Sequence, residues 1–165
     1  MTYEEWKRLK QEELKRKTHG AEVIPYDDPL HKAKSAIVKH CFDGAGLYSM
    51  LPLYFTPPDL EESNPDAAGL YGYGVIMIRK GYYEQRGLDD SMINLLHHEL
   101  CHAFCDMKVP EKKVHDTDGA FHRKEFAEVC EQHGGLCRYV NSEDGYSDSA
   151  LTPENMDLVR KSLEA

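Results

Sequence analysis

Hydrophobic and polar residues alternate along residues 88–107 with the three- and four-residue spacing of an amphipathic helix. Asp89 and Ser91, at the start of this segment, are residue types that cap helices, and no Gly or Pro follows them before Pro110. We therefore predict a helix from about Asp90 to Met107. Its inward face is expected to carry Met92, Leu95, Leu96, Glu99, His102 and Ala103.

The rest of the chain has the pattern of a small domain that mixes helices with strands. Further helices are expected at residues 3–17, Phe121–His133 and Thr152–Leu163, and buried strands at Leu47–Phe55 and Val75–Ile78. Residues 31–40 fit a short helix or a strand, and loops are expected at residues 21–30, Thr56–Ala68 and Pro110–Gly119. We expect an N-terminal helical extension, residues 1–20, followed by one domain, residues 21–165.

The helix predicted at residues 90–107 contains the run His98-Glu99-Leu100-Cys101-His102. Positions four residues apart lie one turn apart on one helix face, so His98 and His102 can direct two ring nitrogens at one point. Glu99 lies on the same side of the helix. Two imidazoles and a carboxylate in this spacing are typical of a Zn²⁺ site in which the carboxylate lies beside a zinc-activated water. The alternative is a helix with two histidines on its exposed face.

A catalytic zinc ion takes three protein ligands and leaves a fourth position open. His122 stands in the first turn of the second predicted helix, and the intervening chain is long enough to turn back to the same ion. His115, Glu125 and Glu128 are the alternative third ligands. We favour His122 and expect His115 to be a solvated loop residue.

Two stretches of the chain resemble the SprT-like zinc metallopeptidase domain, which includes the bacterial SprT proteins and the eukaryotic DNA–protein crosslink protease Spartan. They are His98–Ala103, an H-E-x-x-H-A run, and His122–Phe126, an H-x-x-E-F pattern that opens the next helix. Val75–Ile78 fits the short strand that this family places before its metal helix. Arg123 stands where the family often has Gly, and the resemblance covers about residues 68–135.

This resemblance implies a zincin-like α+β fold, in which a small antiparallel or mixed sheet packs on the metal helix and on a second, ligand-bearing helix. It implies His98, His102 and His122 as ligands of one Zn²⁺ per chain, with Glu99 as general base. The expected activity is that of a zinc-dependent endopeptidase, which hydrolyses a protein substrate through a zinc-activated water. Because no thiol nucleophile is needed, Cys101 and Cys105 are expected to be small buried apolar residues.

Two further features of a peptidase site have candidates in the sequence. Many zinc peptidases bind an extended substrate along a sheet edge, and Val75–Ile78 is the candidate edge, with a core strand as the alternative. Tyr139 and Tyr146 follow the second helix and could stabilise an oxyanion, but ordinary surface or core positions are favoured for both.

The charge balance narrows the expected partners. The chain carries 29 acidic against 20 basic residues, for a formal net charge of −9, which disfavours a general nucleic-acid-binding surface. Its one basic run, residues 7–17, is interleaved with Glu residues and indicates a solvated helix. We expect a protein substrate. The net charge does not support nucleic acid as a binding partner.

Cysteine usage and hydropathy indicate a reducing, cytoplasmic setting. Five irregularly spaced cysteines argue against a disulfide framework, no apolar run reaches membrane-spanning length, and the charged N-terminus is unlike a signal peptide. A second, structural metal site would use Cys130, His133 and Cys137, with Cys41 as fourth ligand, but we favour a helix end with incidental thiols.

A function from a different class also fits the motif. A catalytically silent, zinc-stabilised module that binds protein or DNA would hold the metal without hydrolysing anything. The carboxylate of Glu99 favours the enzyme, because a purely structural zinc site has no use for it.

Overall fold

The computed structural model describes residues 1–43, 51–72, 75–108, 122, 124–143 and 145–165, and the fold is described for these residues. The helices are α1 (Tyr3–Lys17), α2 (Pro29–Cys41), α3 (Pro58–Ser63), α4 (Lys80–Arg86), α5 (Asp90–Lys108), α6 (Lys124–Gln132) and α7 (Pro153–Glu164). The strands are β1 (Leu53–Phe55), β2 (Gly69–Gly72), β3 (Val75–Ile78), β4 (Gly135–Asn141) and β5 (Gly145–Leu151). Seven helices and two small sheets confirm the predicted α+β class.

The first sheet is mixed and has the strand order β1-β3-β2. β3 pairs parallel with β1 and antiparallel with β2, so the predicted strand exists. Its predicted role as a sheet edge is wrong, because strands pair with it on both sides and all four of its residues are buried. β2 is instead the edge that packs beside α5, where a Cβ added to Gly69 would lie 2.9 Å from Leu95.

The two faces of this sheet pack against different cores. Ile76 and Ile78 join the main core, which α2, α5 and α6 also enter. Val75 and Met77 point the other way, into a smaller cluster that Leu14 of α1 covers. The alternation follows from the two-residue period of a strand, and it explains why β3 is apolar at every position.

α5 is the central helix and runs as the sequence predicts. The Asp89 carboxylate accepts a hydrogen bond from the Met92 N–H at 2.8 Å, which caps the helix start. Leu95 and His102 of the expected inward face are only partly buried. The fully buried stripe is Met92, Leu96 and Leu100, of which Leu100 was not expected. Burial of this stripe fixes the rotation of α5, and with it the side on which His98 and His102 project.

The second sheet is the β4–β5 hairpin, which pairs Cys137 with Ser149 and Gly135 with Leu151. His122 forms an isolated β-bridge with Tyr146 of β5: its N–H donates to the Tyr146 carbonyl at 2.6 Å, and the Tyr146 N–H donates back at 3.0 Å. The prediction that His122 lies in the first turn of a helix is therefore wrong. Because the pairing uses its backbone, α6 begins two residues later, at Lys124.

The remaining elements divide between confirmed and corrected predictions. α1 is confirmed and begins with a capping box between Thr2 and Glu5. The ambiguous segment before residue 41 is helix α2, and α7 begins as predicted with Thr152 as N-cap and Pro153 at its first position. The predicted loop Thr56–Ala68 contains α3, and α4 was not predicted.

Some predictions fall on parts of the chain that the structure does not describe. Residues 53–55 of the strand predicted at Leu47–Phe55 form β1, whereas Leu51 and Pro52 are not in a strand. Residues 47–50 of the predicted strand lie outside the described ranges. The loop predicted at Pro110–Gly119 lies entirely outside them. None of the described helices is both long and apolar enough to cross a bilayer.

Candidate metal centre

Three histidine rings meet at one point beside α5. Nε2 of His102 lies 3.2 Å from Nε2 of His98 and 3.2 Å from Nε2 of His122. Within the described residues these are the only His, Cys, Asp or Glu side chains that gather as a possible metal site. Zinc–nitrogen bonds of about 2.0–2.1 Å in a tetrahedron separate the ligand atoms by about 3.3 Å. The spacing of the three nitrogens therefore fits Zn²⁺.

Two kinds of backbone structure bring these rings together. His98 and His102 are one turn apart on α5, whereas His122 is held by its bridge to Tyr146. Phe126 of α6 is fully buried under all three rings, with its centroid 4.2 Å from that of His102, 4.5 Å from His122 and 5.0 Å from His98. α6 thus supplies an aromatic platform rather than a ligand.

β5 contacts the far side of two of the rings. Nδ1 of His122 donates to the Ser147 carbonyl at 2.9 Å, which puts the ring proton on Nδ1 and the lone pair on Nε2, the tautomer that binds a metal through Nε2. Nδ1 of His98 lies 2.8 Å from the Ser149 hydroxyl. Burial, together with the neighbouring rings of His122 and His97, lowers the pKa of His98 to about 3. His98 is therefore neutral at physiological pH, which is the form that binds metal.

Glu99 lies beside the three rings and is 4% exposed. Its Oε2 atom has no hydrogen-bond partner within the described part of the chain. Burial raises the pKa of this carboxyl to about 8. An unpaired buried carboxyl is costly to fold, so its presence next to three convergent imidazoles fits a metal site with a proton acceptor.

A cleft of about 530 Å³ opens over the site and is lined by His98, Glu99 and His122. Residues 147–150 of β5 also line the cleft, together with Gly69 of β2 and Tyr82 of α4. Tyr139 and Tyr146, the sequence candidates for an oxyanion donor, do not line this cleft. Tyr139 is 58% exposed and packs edge-on against Tyr146.

The alternative third ligands do not join the three histidines. Glu125 and Glu128 are exposed on α6, and Glu128 lies 3.9 Å from Lys124. His115 lies outside the described residues. Of the described candidates, His122 is the one that reaches the site.

His97, Cys101 and Cys105 belong to the buried interior of the protein. His97 is fully buried, and its Nε2 donates to the His133 carbonyl at 2.7 Å. Cys101 and Cys105 are fully buried free thiols, as predicted, and burial raises the pKa of Cys105 to about 12. Such thiols are chemically inert at neutral pH.

The second metal site considered from the sequence does not form among the described residues. The ligand atoms of His133, Cys130 and Cys137 do not gather within reach of one ion. Instead, Nδ1 of His133 lies 3.1 Å from the backbone carbonyl of Cys41, which makes His133 part of the packing between α2 and α6.

Ser147 and Ser149 are site residues that the sequence reasoning missed. A signal for them was present: two short runs with strand-like composition flank a polar turn that ends in Gly145. A turn of this length with a Gly predicts a β-hairpin. The sequence gives no sign, however, that such a hairpin would lie against the metal helix.

No family model, curated protein or solved structure matches this chain. The SprT-like resemblance therefore stays a prediction based on residues 98–103 and 122–126. Function has to be inferred from the three imidazoles, the buried carboxyl and the cleft above them.

Proposed function

We propose that this protein is a zinc-dependent endopeptidase of the SprT-like type, with a zincin-like fold. The observation that carries the proposal is the convergence of three Nε2 atoms, two pairs of them 3.2 Å apart, beside the buried carboxyl of Glu99. His98, His102 and His122 would hold one Zn²⁺, and Glu99 would be the general base.

The chemistry divides between the ion and the chain. When bound, Zn²⁺ would polarise the scissile carbonyl and lower the pKa of a water molecule. Glu99 would take the proton from that water as it attacks and deliver it to the leaving amine. Burial raises the pKa of this carboxyl in the metal-free chain. A bound dication would favour the ionised carboxylate, which is the form that accepts the proton.

The shape of the cleft supports a polypeptide as substrate. Its lining includes Gly69 of β2, a strand at one edge of the first sheet, and residues 147–150 of β5. Strand edges offer backbone N–H and C=O groups to an extended chain. β2 thus takes the part that the sequence analysis gave to Val75–Ile78.

A silent zinc module is the competing function, and the site chemistry argues against it. Structural zinc sites are closed by four protein ligands. Within the described residues only three histidines gather here, and two of them, His98 and His122, line an open cleft. A structural site would also gain nothing from Glu99, whose burial without a hydrogen bond at Oε2 is a cost.

Zinc analysis and a cleavage assay on the same preparations test the proposal. Wild-type protein should bind one Zn²⁺ and cleave casein or histone in a chelator-sensitive reaction. Glu99→Gln should keep the zinc and lose at least about 100-fold in turnover. Glu128→Gln, on the exposed face of α6, is the matched control and should behave as wild type.

Two results would count against the proposal. Unchanged turnover in Glu99→Gln would remove the general base. Stoichiometric zinc with no hydrolysis of either protein by wild type would favour the silent module instead.

A further inference from the structure

A second cavity, of about 490 Å³, lies beside the metal cleft. Asn94 of α5 lines both cavities. β5 also continues from one to the other, since Ala150 lines the cleft and Leu151 lines the second cavity. The two cavities are therefore neighbours along the seam between α5 and β5.

Residue spacing on α5 sets the distance between them. Asp90, Asn94 and His98 are each four residues apart and lie in one row on the helix surface. Asp90 lines the second cavity and His98 the metal cleft. Eight helical residues rise about 12 Å, and an extended chain advances about 3.3 Å per residue. About four residues of extended peptide would reach from the metal centre to the second cavity.

The second cavity offers an apolar floor, which Leu151, Pro153 and Met156 form. Leu151 belongs to the main core, and Met156 packs against that core from α7. An aliphatic side chain placed here would lose water-exposed surface without displacing any of these residues.

The charged residues around this floor already have partners. Asp90 accepts two hydrogen bonds from Arg160, at 3.0 and 2.6 Å, and Asp157 pairs with Lys161 at 3.1 Å. A charged substrate residue would have to compete with these contacts. The cavity therefore favours an uncharged aliphatic residue over Lys, Arg, Asp or Glu.

Asn94 marks the boundary between the cavities. Its Oδ1 accepts a hydrogen bond from the Leu151 N–H at 2.9 Å, which ties α5 to the end of β5. Its side-chain amide N–H groups make no hydrogen bond within the described residues and stay available to a peptide carbonyl. A peptide that crosses from one cavity to the other thus meets a fixed donor midway.

The geometry points to a distal substrate subsite between α5 and α7, which binds an aliphatic side chain about four residues from the scissile bond of an extended polypeptide. This inference rests on the proposed endopeptidase function and specifies which substrates that site takes. It predicts that short peptides, which cannot reach the second cavity, bind more weakly than longer ones.

Peptide binding by zinc-loaded Glu99→Gln protein tests the subsite without requiring hydrolysis. Fluorescein-labelled peptides that share one cleavable core are extended one residue at a time, in separate series on each side, and their affinities are measured by fluorescence anisotropy. In each series, the residue at the fourth position from the scissile bond is either Leu or Asp. Asp157→Trp, at an exposed position on the cavity rim, obstructs the cavity, and Leu158→Trp, the adjacent exposed position outside the lining, is the control.

We expect affinity to rise about three- to tenfold when the fourth residue on one side is added as Leu, and to gain nothing from Asp. Asp157→Trp should abolish that gain, and Leu158→Trp should retain it. The subsite would be overturned if the affinity rose evenly with peptide length, or if Asp157→Trp kept the gain in affinity from the fourth residue. It would also be overturned if no peptide bound at all. Cleavage of casein by wild type would leave the proposed activity standing in each of those cases.

Discussion

The Ser149 hydroxyl lies 2.8 Å from Nδ1 of His98 and joins the β4–β5 hairpin to the metal helix. Nε2 of His98 faces the other two imidazoles, so a metal-binding His98 carries its proton on Nδ1 and donates it to Ser149. The contact therefore selects the tautomer and the ring orientation that zinc requires. β5 does the same for His122 through the Ser147 carbonyl.

Removal of the Ser149 hydroxyl should weaken zinc binding without removing a ligand. We expect Ser149→Ala to lower zinc affinity about 10- to 100-fold, as measured by competition with a chromophoric chelator. Ser147→Ala is the matched control, because it keeps the backbone carbonyl that contacts His122, and Ser149→Thr should restore most of the affinity. An equal loss in both alanine variants would contradict the role given to the Ser149 hydroxyl.

Gly145 should be needed for the position of His122. It has φ +82°, and a Cβ added there would lie 2.5 Å from the His122 carbonyl oxygen. Gly20 has a similar φ of +72° with open space around it. Both Gly→Ala changes should cost about 1–2 kcal/mol of backbone strain, measured by urea unfolding of the zinc-free protein.

The clash at Gly145 should add a specific effect on the site. Because the new methyl group would push His122 out of its bridge with Tyr146, Gly145→Ala should lose more stability than Gly20→Ala and should also bind zinc more weakly. Gly20→Ala should bind zinc as wild type does. Equal zinc affinities in the two variants would show that the bridge does not position His122.

Lys34 of α2 should give the stability of the protein a distinctive pH dependence. Its side chain is 1% exposed, and its ammonium donates to the Leu51 carbonyl and to Nδ1 of His31. Burial lowers the pKa of Lys34 from 10.5 to about 8. Between these values the unfolded chain binds more protons than the folded one, so the contribution of Lys34 to stability rises with pH.

Comparison with Lys34→Met isolates this contribution above pH 7.5, since His31, whose pKa is lowered by burial and in part by Lys34, is neutral there. From pH 7.5 to 10.5 the free energy of unfolding of wild type should gain about 3 kcal/mol relative to the variant. The measurement is urea unfolding in the presence of chelator at several pH values. Parallel curves for the two proteins would mean that Lys34 is not desolvated in the folded state.

Local sequence signals predicted the metal helix well. The start of α5 depends on the Asp89 cap, which can be read from neighbouring residues. Its rotation was predicted only in part, since Met92 and Leu96 are fully buried but Leu95 is not. His122 was also found, since few histidines follow the motif. Its backbone setting was not, because the bridge to Tyr146 joins segments that are far apart in the sequence.

The sheet order and the contacts behind the ligands could not be predicted either, because they also depend on segments that are far apart in the sequence. The apolar run Val75–Ile78 looks alike in an edge strand and in a central strand, and only the placement of β1 and β2 makes it central. Ser149 is an unremarkable polar residue in the sequence. Its importance arises when β5 packs along α5 and brings its hydroxyl to His98.

X-ray absorption at the zinc edge of the loaded protein tests the central claim most directly. The chain carries five cysteines as well as nine histidines, so a zinc ion has sulfur ligands available to it. Ligation by His98, His102 and His122 predicts a first shell of nitrogen and oxygen atoms only, at about 2.0–2.1 Å, with the scattering pattern of imidazole rings. A zinc–sulfur distance of about 2.3 Å, or a shell without imidazole scattering, would contradict it.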